Sequence, residues 1–89
     1  MQTLRETERI LKVLANRRRL AILKLLNNKG ATRVGAVAEE IKLSLKATSK
    51  HLGVLSAAGV VESEQIGPTM EYYLKSPIHK LTKLALDNF

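Results

Sequence analysis

The sequence predicts one mainly α-helical domain with a small β-hairpin near its end. Along roughly the first two thirds of the 89 residues, apolar side chains recur at helical spacing. Two β-prone runs, VVESEQI and MEYYLK, then flank GPT, in which Gly and Pro favour a turn. After them, Ser76 and Pro77 are typical of a helix start, because Ser caps helices and Pro is tolerated at their first position.

Helical spacing and one capping residue predict the first two helices. A helix over residues 3–15 carries its apolar residues on one face: Leu4, Ile10, Leu11 and Leu14. Asn16 is a typical N-cap for the next helix, because its short side chain accepts hydrogen bonds from free backbone N–H groups. That helix, RRRLAILKLL, is expected to end near Gly30, which suits a left-handed C-cap. Its inward residues are Leu20, Leu23 and Leu26.

The remaining elements complete a recognisable order. A third helix is predicted from about Val34 to Ile41, and a fourth runs from a cap at Ser44 to Gly59. The hairpin spans residues 60–75, and the closing helix spans 77–89. Four helices, a hairpin and a closing helix (α-α-α-α-β-β-α) follow the order of a winged helix-turn-helix domain, which we expect to span residues 1–89 as one unit.

Charge is distributed unevenly along the chain. The net charge is +7; residues 1–50 hold twelve Lys and Arg against four Glu, and residues 51–89 hold three Lys against four acids. Such asymmetry favours a polyanionic partner, a nucleic acid or a membrane surface. No apolar run approaches the ~18 residues of a membrane span, and the first residues lack the apolar stretch of a signal peptide, so a cytoplasmic protein is expected.

One face of the fourth helix is unusually bare. On a helical wheel, the arc opposite the predicted core holds two lysines among small or apolar residues: Leu45, Lys46, Lys50, Ser49, Gly53, Ser56 and Ala57. Residues 41–61 contain no acid, which removes repulsion from phosphates. A DNA major groove, ~12 Å wide, accepts a helix of this kind. We therefore expect double-stranded DNA to cover this face.

Three segments carry a resemblance to a known family. LKVLANRRRLAILKLL, VAEEIKLSLKATSKHLGVLSAAGVVES and GPTMEYYL, within residues 8–75, resemble the ArsR/SmtB family of winged-helix repressors. The most specific segment is LSLKATSKHLGVLSAAGVV, which is similar to the family's Ser/Thr-rich turn followed by Ser-Arg/Lys-His-Leu and Leu-x-x-Ala-Gly-Leu-Val. Asn16 stands where the family usually has Asp, and Arg17 stands where it usually has Pro.

The resemblance implies a DNA-binding role for particular residues. The fourth helix would enter the major groove of a palindromic operator, with these residues facing DNA: Leu45, Lys46, Ala47, Ser49 and Lys50. Arg17 and Arg18 lie in the first turn of the second helix, where cations oppose the helix dipole. Contact with DNA phosphates would give this positive charge a role, and plain solvation is the alternative; both stay open. Arg19 matches a structural family arginine that could pair with an acid, and for His51 a structural hydrogen bond is favoured over DNA contact.

Two features depart from the family pattern. The predicted hairpin carries Glu62, Glu64 and Glu71 where family wings commonly carry basic residues, so weak DNA contact or another role is expected of it. The family's metal-binding cysteines are absent, and His79 and Asp87 are ~12 Å apart on a helix, too far to share an ion. We therefore expect no metal site and no cofactor.

The two terminal helices are expected to form a homodimer. Each has an apolar arc about twice the ~100° that packing on a single core requires, and the surplus is expected to meet another chain. The family resemblance also implies pairing through these helices. The candidate interface residues are Leu4, Ile10, Leu11, Leu14, Ile78, Leu81, Ala85 and Phe89.

The sequence thus predicts a sequence-specific DNA-binding regulator, a homodimeric repressor without a metal-sensing site. The alternative is a winged-helix module that binds protein rather than DNA, which the acidic hairpin keeps open. An enzyme is not expected, because the chain shows no paired carboxylates, cysteine, glycine-rich phosphate loop or nucleophile–base motif.

Overall fold

The protein's structure, a computed structural model, describes residues 3–89 as five helices and a three-stranded antiparallel sheet. The helices are α1 (Leu4–Leu14), α2 (Arg17–Lys29), α3 (Val34–Ile41), α4 (Leu45–Ala57) and α5 (Lys80–Leu86). The strands are β1 (Thr32–Arg33), β2 (Val61–Ile66) and β3 (Thr69–Leu74), in the order β1-β3-β2. The winged helix-turn-helix prediction is confirmed.

The helices begin where short polar side chains cap them. Oγ1 of Thr3 accepts from the backbone N–H of Glu6, and Oδ1 of Asn16 accepts from that of Arg19, both at 3.1 Å. Oγ of Ser44 accepts from the N–H of Ala47 at 3.1 Å. The predicted caps at Asn16 and Ser44 are confirmed, and the second of them fixes where α4 begins.

The prediction for the closing helix, residues 77–89, is wrong at both ends, since the helix also stops at Leu86. Helix α5 begins at Lys80 rather than at residue 77, and its N-cap is His79, whose Nδ1 accepts from the Leu81 N–H at 3.1 Å. The N–H of Lys75 still donates to the Val60 carbonyl, so sheet pairing continues to that point. Residues 76–78 are therefore needed to turn the chain from the sheet back to the helices, and Ile78 lies outside the helix.

Strand β1 is a second difference from the prediction. It consists of two residues, with Thr32 opposite Tyr72 and Arg33 opposite Glu71 on β3. A two-residue strand is too short for alternating polarity to show in a sequence. It exists because β3 offers a free edge beside the start of α3.

The core lies between the helices and the inner face of the sheet. Its buried side chains are Ile10, Val13, Leu14, Ile22, Leu23, Leu25, Leu26, Val37, Leu52, Leu55, Val60, Val61 and Leu86. Predicted inward residues Leu23 and Leu26 belong to it, and Leu20 is half-buried. The inner side of α4 packs on this core, and the outer side of the helix is exposed to solvent.

Candidate nucleic-acid interface

Helix α4 presents the two faces that its sequence predicts. Thr48, Leu52 and Leu55 are completely buried. All residues of the predicted bare arc are exposed: Leu45, Lys46, Ser49, Lys50, Gly53, Ser56 and Ala57. Ala47 is half-buried at the border between the faces. Four of the five α4 residues expected at DNA therefore lie on an open surface, and the fifth lies at its edge.

The exposed lysines of α4 have no acidic partner within the described chain. Lys46 and Lys50 lie four residues apart, about one turn, so they lie on the same side of the helix. The two ion pairs among residues 3–89 are Glu8–Lys12 and Lys29–Glu40, and neither involves α4. Both lysines are free to neutralise an external anion.

The start of α2 brings further positive charge to α4. The pKa of His51 on α4 is lowered below its usual 6.5, first by burial and then by Arg19, Arg18 and Lys50. The cations of two helices therefore lie close together around this imidazole.

Arg17 lines two clefts beside α2. With Leu20, Ala21, Lys24 and Phe89 it lines an open cleft of ≈ 290 Å³. Arg17 and Arg18 also line a larger cleft of ≈ 470 Å³ between α2 and α3, together with Lys24. The sequence analysis does not predict a role for Lys24, although its position seven residues after Arg17 places both on one helical face.

Arg19 and His51 have structural contacts. The guanidinium of Arg19 donates to the Val13 carbonyl at 2.6 Å and to the Lys12 carbonyl at 3.3 Å. Its Nη1 lies 3.4 Å from Nδ1 of His51. The suggestion that Arg19 could pair with an acid is wrong, because backbone carbonyls at the end of α1 are its acceptors.

The wing, strands β2 and β3, carries the opposite charge. Strand alternation and register put Glu62, Glu64, Glu71 and Tyr73 on one face, with Glu64 directly opposite Glu71. Like charges in that position repel. Burial first, then Glu62 and Glu64, raise the pKa of Tyr73 above its usual 10. Arg33, opposite Glu71 on β1, is the nearest cation in register. This acidic face is unsuited to phosphate contact.

A separate apolar surface follows the terminal helices, which pack against each other. Leu4 is 91% exposed and Leu84 64% exposed, and Leu11, Ile78 and Phe89 are also exposed. Ile10 and Leu14 are 7% and 6% exposed because they pack in the chain's own core. Leu81 and Ala85 are half-buried. Of the predicted interface residues, Leu4, Leu11, Ile78 and Phe89 are open to a partner.

The described residues show neither a metal cluster nor a membrane span. Within residues 3–89, no three His, Cys, Asp or Glu side chains are grouped to hold an ion, and His79 and Asp87 cap opposite ends of α5. No helix in the same range combines the length and apolarity needed to cross a bilayer.

Comparison with known proteins gives concordant similarities. Residues 14–64 match a family described as a helix-turn-helix domain. An uncharacterized HTH-type transcriptional regulator of Methanocaldococcus jannaschii, MJ1325, is 32% identical over 74 residues, 83% of each chain. HlyU from Vibrio cholerae is 30% identical, with a TM-score of 0.83 over 96% of this chain and 92% of that one. The homodimeric winged helix-turn-helix DNA-binding domain of Mb0332 from Mycobacterium bovis, a possible ArsR-family transcriptional regulator, is 30% identical, with a TM-score of 0.80 over 96% of this chain and 75% of that one.

Proposed function

This chain belongs to the ArsR-type helix-turn-helix family of DNA-binding transcriptional regulators, and we propose that it binds a palindromic operator as a homodimeric repressor. The observation that carries the proposal is the exposed, acid-free face of α4, where Lys46 and Lys50 have no acidic partner within residues 3–89. Family membership favours DNA over the alternative of a purely protein-binding module.

The residues of α4 divide into two roles in this proposal. Lys46, Ser49 and Lys50 supply donors to base edges or phosphates, and Leu45 and Ala47 offer apolar contact to thymine methyl groups. Arg18 contacts the phosphate backbone beside Lys50. Arg17, which lines a cleft together with Phe89, makes a weaker backbone contact or none.

The dimer in this proposal forms through α1 and α5. Exposed Leu4, Leu11 and Leu84 lie on helices that already pack together, and Phe89 follows the end of α5, which supports one shared apolar surface. A two-fold axis there would present two copies of α4 one DNA turn apart, ~34–36 Å. The homodimeric state of the similar Mb0332 domain supports a dimer.

The regulator is proposed to act in the cytoplasm. The similar proteins come from an archaeon and a bacterium, and in such cells the chromosome lies in the cytoplasm. An operator-bound dimer represses by occupying promoter DNA. Neither an effector nor a cofactor is part of the proposal.

Selection from a random duplex pool, with sedimentation of the same protein, tests the proposal. We expect an enriched palindrome whose half-site centres are one helical turn apart, and a dimer at micromolar concentration. A repression assay with that palindrome in a promoter completes the test. Recovery of no duplex at low salt, or of single half-sites bound by a monomer, would contradict it.

Two neighbouring residues of α1 make a matched test of the dimer. Leu11→Glu puts a charge on an exposed position, so we expect a folded monomer with weakened operator binding. Ile10→Glu puts the same charge in the core, so we expect loss of the fold instead, since burying an unpaired charge is very costly. A folded, dimeric Leu11→Glu variant in sedimentation and circular dichroism would exclude this surface.

A further inference from the structure

We propose that Arg9 and Arg19 lock α1 to α4, so that the dimer surface fixes the position of the DNA-binding helix and thereby the half-site spacing that the protein accepts. The spacing role rests on the proposed function; the lock itself does not. Both arginines are positioning residues in this proposal, and neither needs to touch DNA.

Arg19 forms the first attachment. It is the third residue of α2, and its guanidinium bonds the Val13 and Lys12 carbonyls, which belong to the last turn of α1. Carbonyls there lack intrahelical partners and carry the negative end of the helix dipole, so a cation suits them. The same guanidinium reaches His51 in the middle of α4. One half-buried side chain therefore joins three helices.

Arg9 forms the second attachment. Its Nη2 donates to the carbonyl of Ala57 at 2.7 Å, across 48 positions of sequence. Ala57 is the last residue of α4, so this carbonyl also lacks an intrahelical partner. The bond ties the middle of α1 to the end of α4.

Two attachments restrict motion that one would permit. On α4, His51 and Ala57 are six residues apart, a rise of about 9 Å. A single contact allows α4 to pivot, whereas contacts this far apart oppose both rotation and sliding. These bonds add a direct link between α1 and α4, since α1 otherwise packs mainly on α2 and α5. A change in how α1 meets its partner would thus move α4.

The lock can be tested without DNA. The chain has no cysteine, so Arg5→Cys and Ser56→Cys, both at exposed positions, would carry spin labels on α1 and α4. Mixing with excess unlabelled protein restricts the measured pairs to one chain. We expect Arg9→Gln with Arg19→Lys to broaden or shift the distance distribution. Lys12→Gln, which removes one charge from the same helix, should leave it unchanged. An unchanged distribution in the double variant would overturn the lock.

The spacing role needs operators that differ by one or two base pairs between half-sites. Each added pair should cost the unmodified protein about tenfold in affinity, because both half-sites can no longer be engaged together. The double variant should dimerise as before, but for it each added base pair should reduce affinity by only about threefold or less.

Arg9→Gln alone, a change at an exposed position, serves as a second variant in case the double variant does not fold. Equal weakening at every spacing would mean a merely stabilising role and overturn the proposal. An unmodified protein that binds no duplex would overturn the proposed function, while the label distances still decide the lock.

Discussion

Helix α4 and the wing carry opposite charge within one small domain. The exposed arc of α4 has Lys46 and Lys50 and no acid, whereas the outer face of the wing has three glutamates and neither β2 nor β3 has a base. The net charge of +7 is thus not spread evenly over the surfaces that winged domains turn toward DNA. We therefore expect DNA affinity to be concentrated in α4 and the start of α2, and the acidic wing to repel the DNA backbone.

Removing the positive side of this contrast should have the largest effect. Lys46→Ala with Lys50→Ala removes up to four phosphate contacts per dimer, each worth about 0.9 in the slope of log affinity against log salt. We expect the slope to flatten by roughly 3–4 and affinity near 0.1 M salt to fall about a thousandfold. Lys80→Ala with Lys83→Ala on α5 removes the same charge as a control. Equal losses in both would show that total charge, not α4, determines affinity.

A second, smaller effect separates base contact from general attraction along α4. Ser49→Ala should relax sequence preference at one base position by ~1–3 kcal/mol, whereas Arg18→Ala should weaken all sequences alike. Ser56→Ala, on the same exposed arc but in the C-terminal half, should change neither, because recognition helices contact bases through their N-terminal half. Binding to a set of single-base operator variants measures this. Equal effects of Ser49→Ala and Ser56→Ala would refute the assignment.

Neutralising the wing tests the negative side of the contrast. Glu62→Gln, Glu64→Gln and Glu71→Gln together should strengthen binding to every sequence by a few-fold at low salt, by removing repulsion. Glu64→Gln alone should also stabilise the hairpin by up to ~1 kcal/mol, since it ends the repulsion with Glu71. Glu39→Gln on α3 is the control. Affinity unchanged even at low salt would place the wing's acidic face away from DNA.

The sequence predicts α4 better than any other element. Its two arcs are confirmed because α4 packs one side on the core and leaves the other to solvent, the case in which helical period determines burial. The apolar arc of α1 is too wide for that argument. Exposed Leu11 and buried Ile10 are adjacent, and only packing shows which of them the core takes.

Other features that the sequence does not predict have different physical causes. Strand β1 depends on the free edge of β3, and the delayed start of α5 depends on sheet pairing that continues to Lys75. Arg19 has backbone carbonyls as partners, and these leave no trace in residue types. Contacts to backbone groups distant in the chain follow from the fold, so spacing in the sequence does not predict them.

The smallest predicted effects are the pKa shifts of His51 on α4 and Tyr73 on the wing, which report the opposite charge of the two regions. Cations around His51 and carboxylates around Tyr73 act on top of burial in both cases, and they move the two pKa values in opposite directions. We expect His51 to titrate below 6.5 and Tyr73 above 10, by nuclear magnetic resonance and ultraviolet absorbance respectively. Added salt screens the charges, so the His51 pKa should rise and the Tyr73 pKa should fall.

Each shift also has a defined sign for stability. Below pH 6.5 the unfolded chain takes up the His51 proton before the folded chain does, so the free energy of unfolding falls as the pH drops below 6.5. Above pH 10 the unfolded chain loses the Tyr73 proton first, so the free energy of unfolding falls as the pH rises. His51→Gln should remove the acid-side loss alone, and Tyr73→Phe the alkaline-side loss alone. Denaturant unfolding across pH measures both, and shifts of the same sign under salt would show that the two regions do not differ in charge as described.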